Sequence, residues 1–206
     1  MSKVLVAYGT KSGSTAEVAE AVGRALAETG LEVEVRRAGE VQSIAEYAAV
    51  VLGGPVVSPA WHPHAIDFLR RFHAMLARMP VAYFVTSMTL TWTADGHVGS
   101  IPIFQDPAHA RAPRRAGKLG FAEKRRTPEA YLTPVLRQAP DVVPVHVAFL
   151  AGKLDYGTLD LVTRTLIKAV FRMAPGDSRN WAAIRSWARG LRAALVPGEE
   201  QPRAAA

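Results

Sequence analysis

Four hydroxyl side chains, Thr10, Ser12, Ser14 and Thr15, crowd the stretch "GTKSGST", with Lys11 between the first two and Gly13 at the centre. A helical pattern follows at once. Hydroxyl and backbone N–H donors at a helix start make a seat for a terminal phosphate without any need for magnesium, because the first N–H groups of a helix have no intrahelical acceptor. Gly13 lets the backbone approach such a ligand closely, and the Lys11 cation suits a phosphate dianion. Two common nucleotide patterns fail. A P-loop needs Lys and then Ser or Thr after its second glycine, but Ser14 and Thr15 follow Gly13. A dinucleotide fingerprint needs a second glycine two positions after Gly9, where Lys11 stands. Taken alone, the spacing also describes an N-cap in a Ser/Thr-rich turn.

The elements around the loop decide between these readings. "KVLVAY" (3–8) is the short apolar run of a buried parallel strand, and residues 15–29 place Val18, Val22, Ala25 and Leu26 on one helical face, closed by Gly30. "LEVEVR" (31–36) alternates, while "AAVVLGG" (48–54), "VAYFVTS" (81–87) and "PVHVAFLAG" (144–152) are further buried strands. Helical spacing recurs in 64–76, from near Pro128, and in 180–195, where Trp181, Ile184, Trp187, Ala188, Leu191 and Leu195 share a face suited to packing on the sheet. Strands alternating with helices predict an α/β protein of flavodoxin type: a doubly wound, five-stranded parallel sheet in the order 2-1-3-4-5 with helices on both faces. Two segments exceed that plan, a long insertion at about 92–122 after the fourth strand and an extra helix at 158–173 after the fifth. The domain is expected to span 1–196, with 197–206 a frayed tail.

In this context the spacing T-x-S-G-x-T resembles the flavodoxin phosphate loop, T-x-T-G-x-T, and implies FMN as cofactor, held by Thr10, Lys11, Ser12, Gly13, Ser14 and Thr15. Such folds bind ligands beyond the carboxyl ends of their strands. After the third strand, Gly54, Pro55 and Val56 lead to Trp61 and His62, whose rings offer faces for stacking on an isoalloxazine; the competing role of Trp61 is to cover apolar surface. After the fourth strand, Thr86, Ser87, Met88 and Thr89 offer hydroxyl and N–H groups to the polar edge of the ring.

The distal half resembles a narrower family, the flavodoxin-like, menaquinone-dependent protoporphyrinogen dehydrogenases. The resemblance runs through "AVVLGGPVVSPAWHPHAIDFL", "EKRRTPEAYL" (123–132) and "VAFLAGKLDYGTLDLVTRTLIKAVFRM" (147–173). It implies an oxidoreductase that passes electrons from a reduced porphyrinogen-like substrate through FMN to a quinone. Lys124, Arg125 and Arg126 would then meet the substrate's propionates. Two departures from the family are the length of segment 92–122 and the turn at Pro175–Asn180.

Composition narrows the alternatives. The chain of 206 residues has a formal charge of +7, and between Arg111 and Arg126 seven cations stand against Glu123 alone. Such a cluster draws anionic lipid, nucleic acid or carboxylate-bearing substrates. A nucleic-acid surface is disfavoured, since Phe121 is the one aromatic among these cations. An electron carrier of flavodoxin type is the other functional reading, and the basic charge counts against it, since the resemblance implies acidic carriers. In 158–173, Arg164, Lys168 and Arg172 oppose Leu159, Val162, Leu166, Val170 and Met173, as in a helix lying on an anionic membrane; packing on its own core or on a second copy in a homo-oligomer suits the same pattern. Cysteine is absent, which excludes disulfides and thiolate chemistry, and the six histidines show no zinc spacing, so no metal is expected. His62, His64, His97 and His109 are available as proton acceptors, but nothing in the sequence orders them. Lys3 leads into a strand pattern rather than a secretory signal. The uncharged run 47–66 is broken by Gly53–Pro55, Pro59 and Pro63 and is not expected to span a membrane. A cytoplasmic chain follows, with room for peripheral contact at the inner face of the membrane.

Overall fold

The computed structural model describes residues 2–57, 60–115, 117–154, 157 and 176–198. The first strand, β1 (Lys3–Tyr8), is followed by α1 (Ser14–Ala27), β2 (Glu32–Arg37), β3 (Ala49–Val57), the short β4 (Ala60–Trp61), α2 (Pro63–Leu76) and β5 (Val81–Ser87). After β6 (Leu90–Thr91), β7 (His97–Val98), β8 (Ile101–Gln105) and β9 (Ala110–Arg111) come α3 (Phe121–Lys124), α4 (Pro128–Leu136) and β10 (His146–Ala151). Two short strands, β11 (Lys153–Leu154) and β12 (Gly176–Asp177), pair antiparallel ahead of α5 (Trp181–Gly190) and α6 (Arg192–Leu195).

The main sheet runs β2-β1-β3-β5-β10-β8-β7, with β4 folded back on β3. Its first five members are the five expected strands, all parallel and in the expected order. The insertion is the correction. It overturns the count of five strands: β8 joins β10 in parallel and β7 closes antiparallel on β8, so the sheet is wider than five strands. Pro102 and the surrounding glycines disguise "IPIFQ" as loop, and an outer strand tolerates proline because one of its sides carries fewer ladder bonds. The addition covers β10, which would otherwise present an unpaired edge.

Alternate residues of the central strands feed opposite faces. Leu5, Leu52, Tyr83 and Phe149 pack with Phe68, Leu69 and Phe72 of α2 and Leu132 of α4. Val6, Val51, Phe84 and Leu150 pack with Val18, Val22 and Leu26 of α1 and with Ile184, Trp187 and Leu191 at the C-terminal end. The 180–195 segment thus packs as its spacing predicts, with a break at Leu191 between α5 and α6. The extra helix expected at 158–173 lies outside the described residues, as does most of the tail after 196. Among the described residues no helix is long and apolar enough to cross a membrane.

Candidate functional site

The carboxyl ends of β1, β3, β5, β10 and β8 lie along one edge of the sheet, and the loops leaving them build the site. Gly13 precedes α1 with φ 84°, a left-handed conformation that costs a residue with a side chain roughly 1–2 kcal/mol. A Cβ there would meet nothing within 4 Å, so the loop opens outward at this point. Thr10 Oγ1 accepts the Gly13 N–H at 3.0 Å and closes the loop, while Ala16 N–H donates to the Gly13 carbonyl at 2.9 Å. Ser12 and Ser14 are half-buried and Lys11 is exposed. Thr15 is buried, its hydroxyl 3.3 Å from that of Thr86 at the end of β5. The first acid of α1, Glu17, pairs with Arg179 at 3.0 Å. Arg179 also donates to the Ser14 carbonyl at 3.2 Å and pairs with Asp177 at 2.6 Å, which holds the Asp177 carboxyl below its usual range.

The remaining predicted residues divide. His62 caps α2, its Nδ1 accepting from His64 N–H at 3.3 Å. A Cβ on Gly9 would lie 2.7 Å from that same nitrogen, so His62 stands against the entry to the hydroxyl loop and only glycine fits opposite it. Burial, and then the neighbouring His64, push the His62 pKa down. Gly54, Pro55 and Val56 lie in β3, where Pro55 pairs with Thr86 across β5 and Val56 with Trp61. Trp61 corrects the expectation of an open stacking face. It is 3% exposed, edge-on to Tyr83 at 5.4 Å, and its Nε1 donates to the Gly54 carbonyl at 2.9 Å; the indole is part of the core. Ser87 is buried, Met88 lies against Gly152, and the Thr89 carbonyl accepts from Ser87 Oγ at 3.2 Å and from Tyr131 O–H at 2.7 Å.

The basic segment reaches the same edge through its backbone. Trp92 N–H donates to the Arg111 carbonyl and Thr91 N–H to the Arg126 carbonyl, each at 2.8 Å, while Lys124, Arg125 and Arg126 keep exposed side chains. Glu123 pins the segment by accepting from Gly120 N–H at 2.7 Å and Arg114 N–H at 2.8 Å, and these bonds lower its pKa.

One cluster was invisible in the sequence. His109 Nε2 lies 2.9 Å from Ser87 Oγ, and both residues are buried. His109 stands in a turn closed by Asp106, whose carbonyl accepts the N–H groups of His109 at 2.9 Å and Ala110 at 2.8 Å. Asp106 itself is fully buried. Its Oδ1 accepts from Ala108 N–H and from Asn180 Nδ2, both at 3.0 Å, whereas Oδ2 has no hydrogen-bond partner among the described residues.

A family model for the flavodoxin domain matches residues 5–180. The chain belongs to the flavodoxin-domain family. As a flavodoxin domain it takes FMN as its cofactor and works in electron transfer. The donor set fits that group: residues 10–15 supply four hydroxyls and a lysine, and the first acid of α1, Glu17, is paired with Arg179. Among relatives, a flavodoxin of Nitratidesulfovibrio vulgaris is 54% identical over 43 residues, covering 21% of this chain and 29% of that protein. Protoporphyrinogen IX dehydrogenase (quinone) of Leishmania major is 24% identical over 213 residues, covering 98% of this chain and 80% of the relative. A solved flavodoxin from the domain Archaea superposes with a TM-score of 0.42 at 16% identity, over 71% of this chain and 82% of that one.

Proposed function

We propose that this flavodoxin domain is an enzyme that takes electrons from a reduced, porphyrinogen-like substrate and delivers them through FMN to a quinone. Bound FMN supplies the two-electron chemistry; the chain supplies binding, orientation and charge. The observation that carries the reading is the hydroxyl-lined helix start around the left-handed Gly13. Thr10, Lys11, Ser12, Gly13, Ser14 and Thr15 hold the phosphate there, with the backbone donors of the first turn of α1. Thr86 supports Thr15 from β5. Gly54, Pro55, Val56, His62, Ser87, Met88 and Thr89 border the ring. Trp61 acts by fixing the Gly54 carbonyl rather than by stacking.

Lys124, Arg125 and Arg126 receive the substrate's carboxylates, their segment tied to the β5 loop through the Thr91–Arg126 bond. The similarity to quinone-dependent protoporphyrinogen dehydrogenases over nearly the whole chain supports this substrate class. Net charge of +7 favours an enzyme for an anionic substrate over a soluble carrier alone. The same segment suits peripheral contact with anionic lipid, since exposed Phe121 stands among its cations and exposed Trp92 is tied by its N–H to the Arg111 carbonyl. Salt-sensitive co-sedimentation with phosphatidylglycerol vesicles is the expected sign; equal, negligible binding to anionic and neutral vesicles would remove the membrane from the reading.

Anaerobic mixing of the FMN-loaded chain with protoporphyrinogen tests the reaction. Bleaching of the oxidised flavin band, reversed by a quinone, is expected. A flavin that dithionite reduces but protoporphyrinogen does not would reject the substrate and leave the cofactor in place.

A further inference from the structure

We propose that His109, reached through the Ser87 hydroxyl and backed by the buried Asp106 carboxylate, takes up one proton whenever the site receives two electrons. The inference rests on the reading of 86–89 as the border of the flavin ring. A donor that loses two hydrogens gives up a hydride, with both electrons of a C–H bond, and a proton from N–H or O–H. Bound FMN would accept the two electrons of the hydride, and the chain's own part is the proton, which passes over Ser87 Oγ to His109 Nε2. Donor oxidation and cofactor reduction then balance, and the imidazole carries the remaining proton.

Three features of the cluster carry the assignment. Ser87 Oγ lies 2.9 Å from His109 Nε2 and 3.2 Å from the Thr89 carbonyl. Its hydroxyl donates to the carbonyl when Nε2 bears a proton, and to Nε2 when it does not. Both arrangements are hydrogen-bonded, and they differ in where the proton sits, as a relay requires. The second feature is Asp106. Capping the turn uses only Oδ1, so among the described residues the fully buried carboxylate keeps an oxygen without a partner. A buried carboxylate is costly unless opposed by positive charge, and an imidazolium three residues on, in the turn that Asp106 closes, supplies it.

The third is the balance of fields on His109. Burial pushes its pKa down; Asp106 on the same turn opposes this, and Arg111 on β9 adds to it. The resting imidazole is therefore held toward the neutral form, ready to accept. Negative charge added to the cofactor on reduction favours the imidazolium. His109 thus acts through Ser87 as a positioning and proton-holding residue.

The test uses the full FMN-loaded chain. Histidine resonances are titrated by NMR across the imidazole range, roughly pH 5 to 8, in the oxidised and the dithionite-reduced states. The proton affinity of His109 should rise at least tenfold on reduction. The flavin midpoint potential should show one additional proton per two electrons within the window between the two His109 values. His109→Gln should retain FMN and lose that additional proton, and Asp106→Asn should lower the proton affinity of His109 even in the apo chain. Identical His109 titrations in the two states overturn the proposal, as does a potential-against-pH curve of His109→Gln that superposes on the wild type. Should His109→Gln fail to fold, the wild-type pair of titrations decides alone. A chain that takes up no FMN overturns the reading of the site and this inference with it; FMN uptake without a linked proton overturns the proton site only.

Discussion

Replacing Gly13 with alanine separates the cost of the loop's shape from the cost of its contacts. The φ of 84° is disfavoured for alanine by roughly 1–2 kcal/mol. Its Cβ would meet nothing within 4 Å, so no clash adds to that figure. Alanine also narrows the unfolded ensemble, which offsets about 0.4–1 kcal/mol. Gly96→Ala measures that offset, because Gly96 also has open space around its Cβ but not a left-handed φ. The holo form of Gly13→Ala should therefore be less stable than that of Gly96→Ala by about 1–2 kcal/mol, or roughly 5–30-fold in the folded ratio. Two partitions are open. If the apo loop keeps its shape, urea unfolding of the apo chain shows the whole loss and FMN affinity is unchanged. If the apo loop relaxes to negative φ, apo stability recovers and the loss moves to FMN binding, read from quenching of flavin fluorescence. The two measurements must sum to the same strain. A Gly13→Ala chain that matches Gly96→Ala in both would show that the left-handed turn is not needed for binding, and the phosphate-loop assignment would fall.

Gly53→Ala should destabilise the fold by about 3 kcal/mol or more, since its Cβ would lie 1.8 Å from Phe84 Cζ in the middle of the sheet; equal urea midpoints for variant and wild type would contradict this packing, and Phe84→Leu should recover part of the loss. Arg125→Ala combined with Arg126→Ala should raise the KM for protoporphyrinogen while bound FMN is unchanged; an unaltered KM removes these residues from the substrate site. Glu34 accepts from Tyr47, Lys3 and Arg36, which pull its carboxyl down to about 2. The sign follows: the bonded carboxylate stabilises the fold above the unfolded carboxyl's pKa near ~4.3, and that stability is lost as pH falls toward about 2. Tyr47→Phe should flatten the acid limb of stability against pH, and parallel acid limbs would refute the linkage.

What the sequence revealed depended on the distance over which each signal operates. β1, β3, β5 and β10 are apolar runs buried on both faces, and α1, α2 and α5 carry stripes at helical spacing; both signals are complete within a short window. The 10–15 loop is equally local, because its hydroxyls and the helix they precede are contiguous. Pro102 hid β8, whose partner β10 lies far along the chain. Trp61 stayed open between two roles for a different reason. A tryptophan between prolines in a loop looks available, and only the fold of β4 back onto β3 turns its indole toward Tyr83. The His109 cluster had no local signal at all. Ser87 and His109 are 22 residues apart, Asp106 and Asn180 are 74 apart, and no periodicity joins them.

The inserted segment is where fold and chemistry meet. By laying β8 beside β10 it places Asp106 at the carboxyl edge of the sheet, the edge at which doubly wound folds bind their ligands. The Asp106 N–H donates to the Phe149 carbonyl of β10, so the turn bearing His109 is fastened to the sheet rather than hung on a loop. β9 then pairs with β6, directly after the β5 loop, and carries Arg111 to the same side. Asn180, capping α5, reaches Asp106 from the opposite direction, while its neighbour Arg179 grips the start of α1. A five-stranded sheet of this order would offer none of the contacts made by Asp106, His109 and Arg111. The insertion therefore gives the loop after β5 a buried acid and an imidazole held by the sheet, and brings the cationic segment alongside. Rigid placement of that kind is what proton transfer at hydrogen-bond distance requires, and its origin here is the pairing of a single added strand.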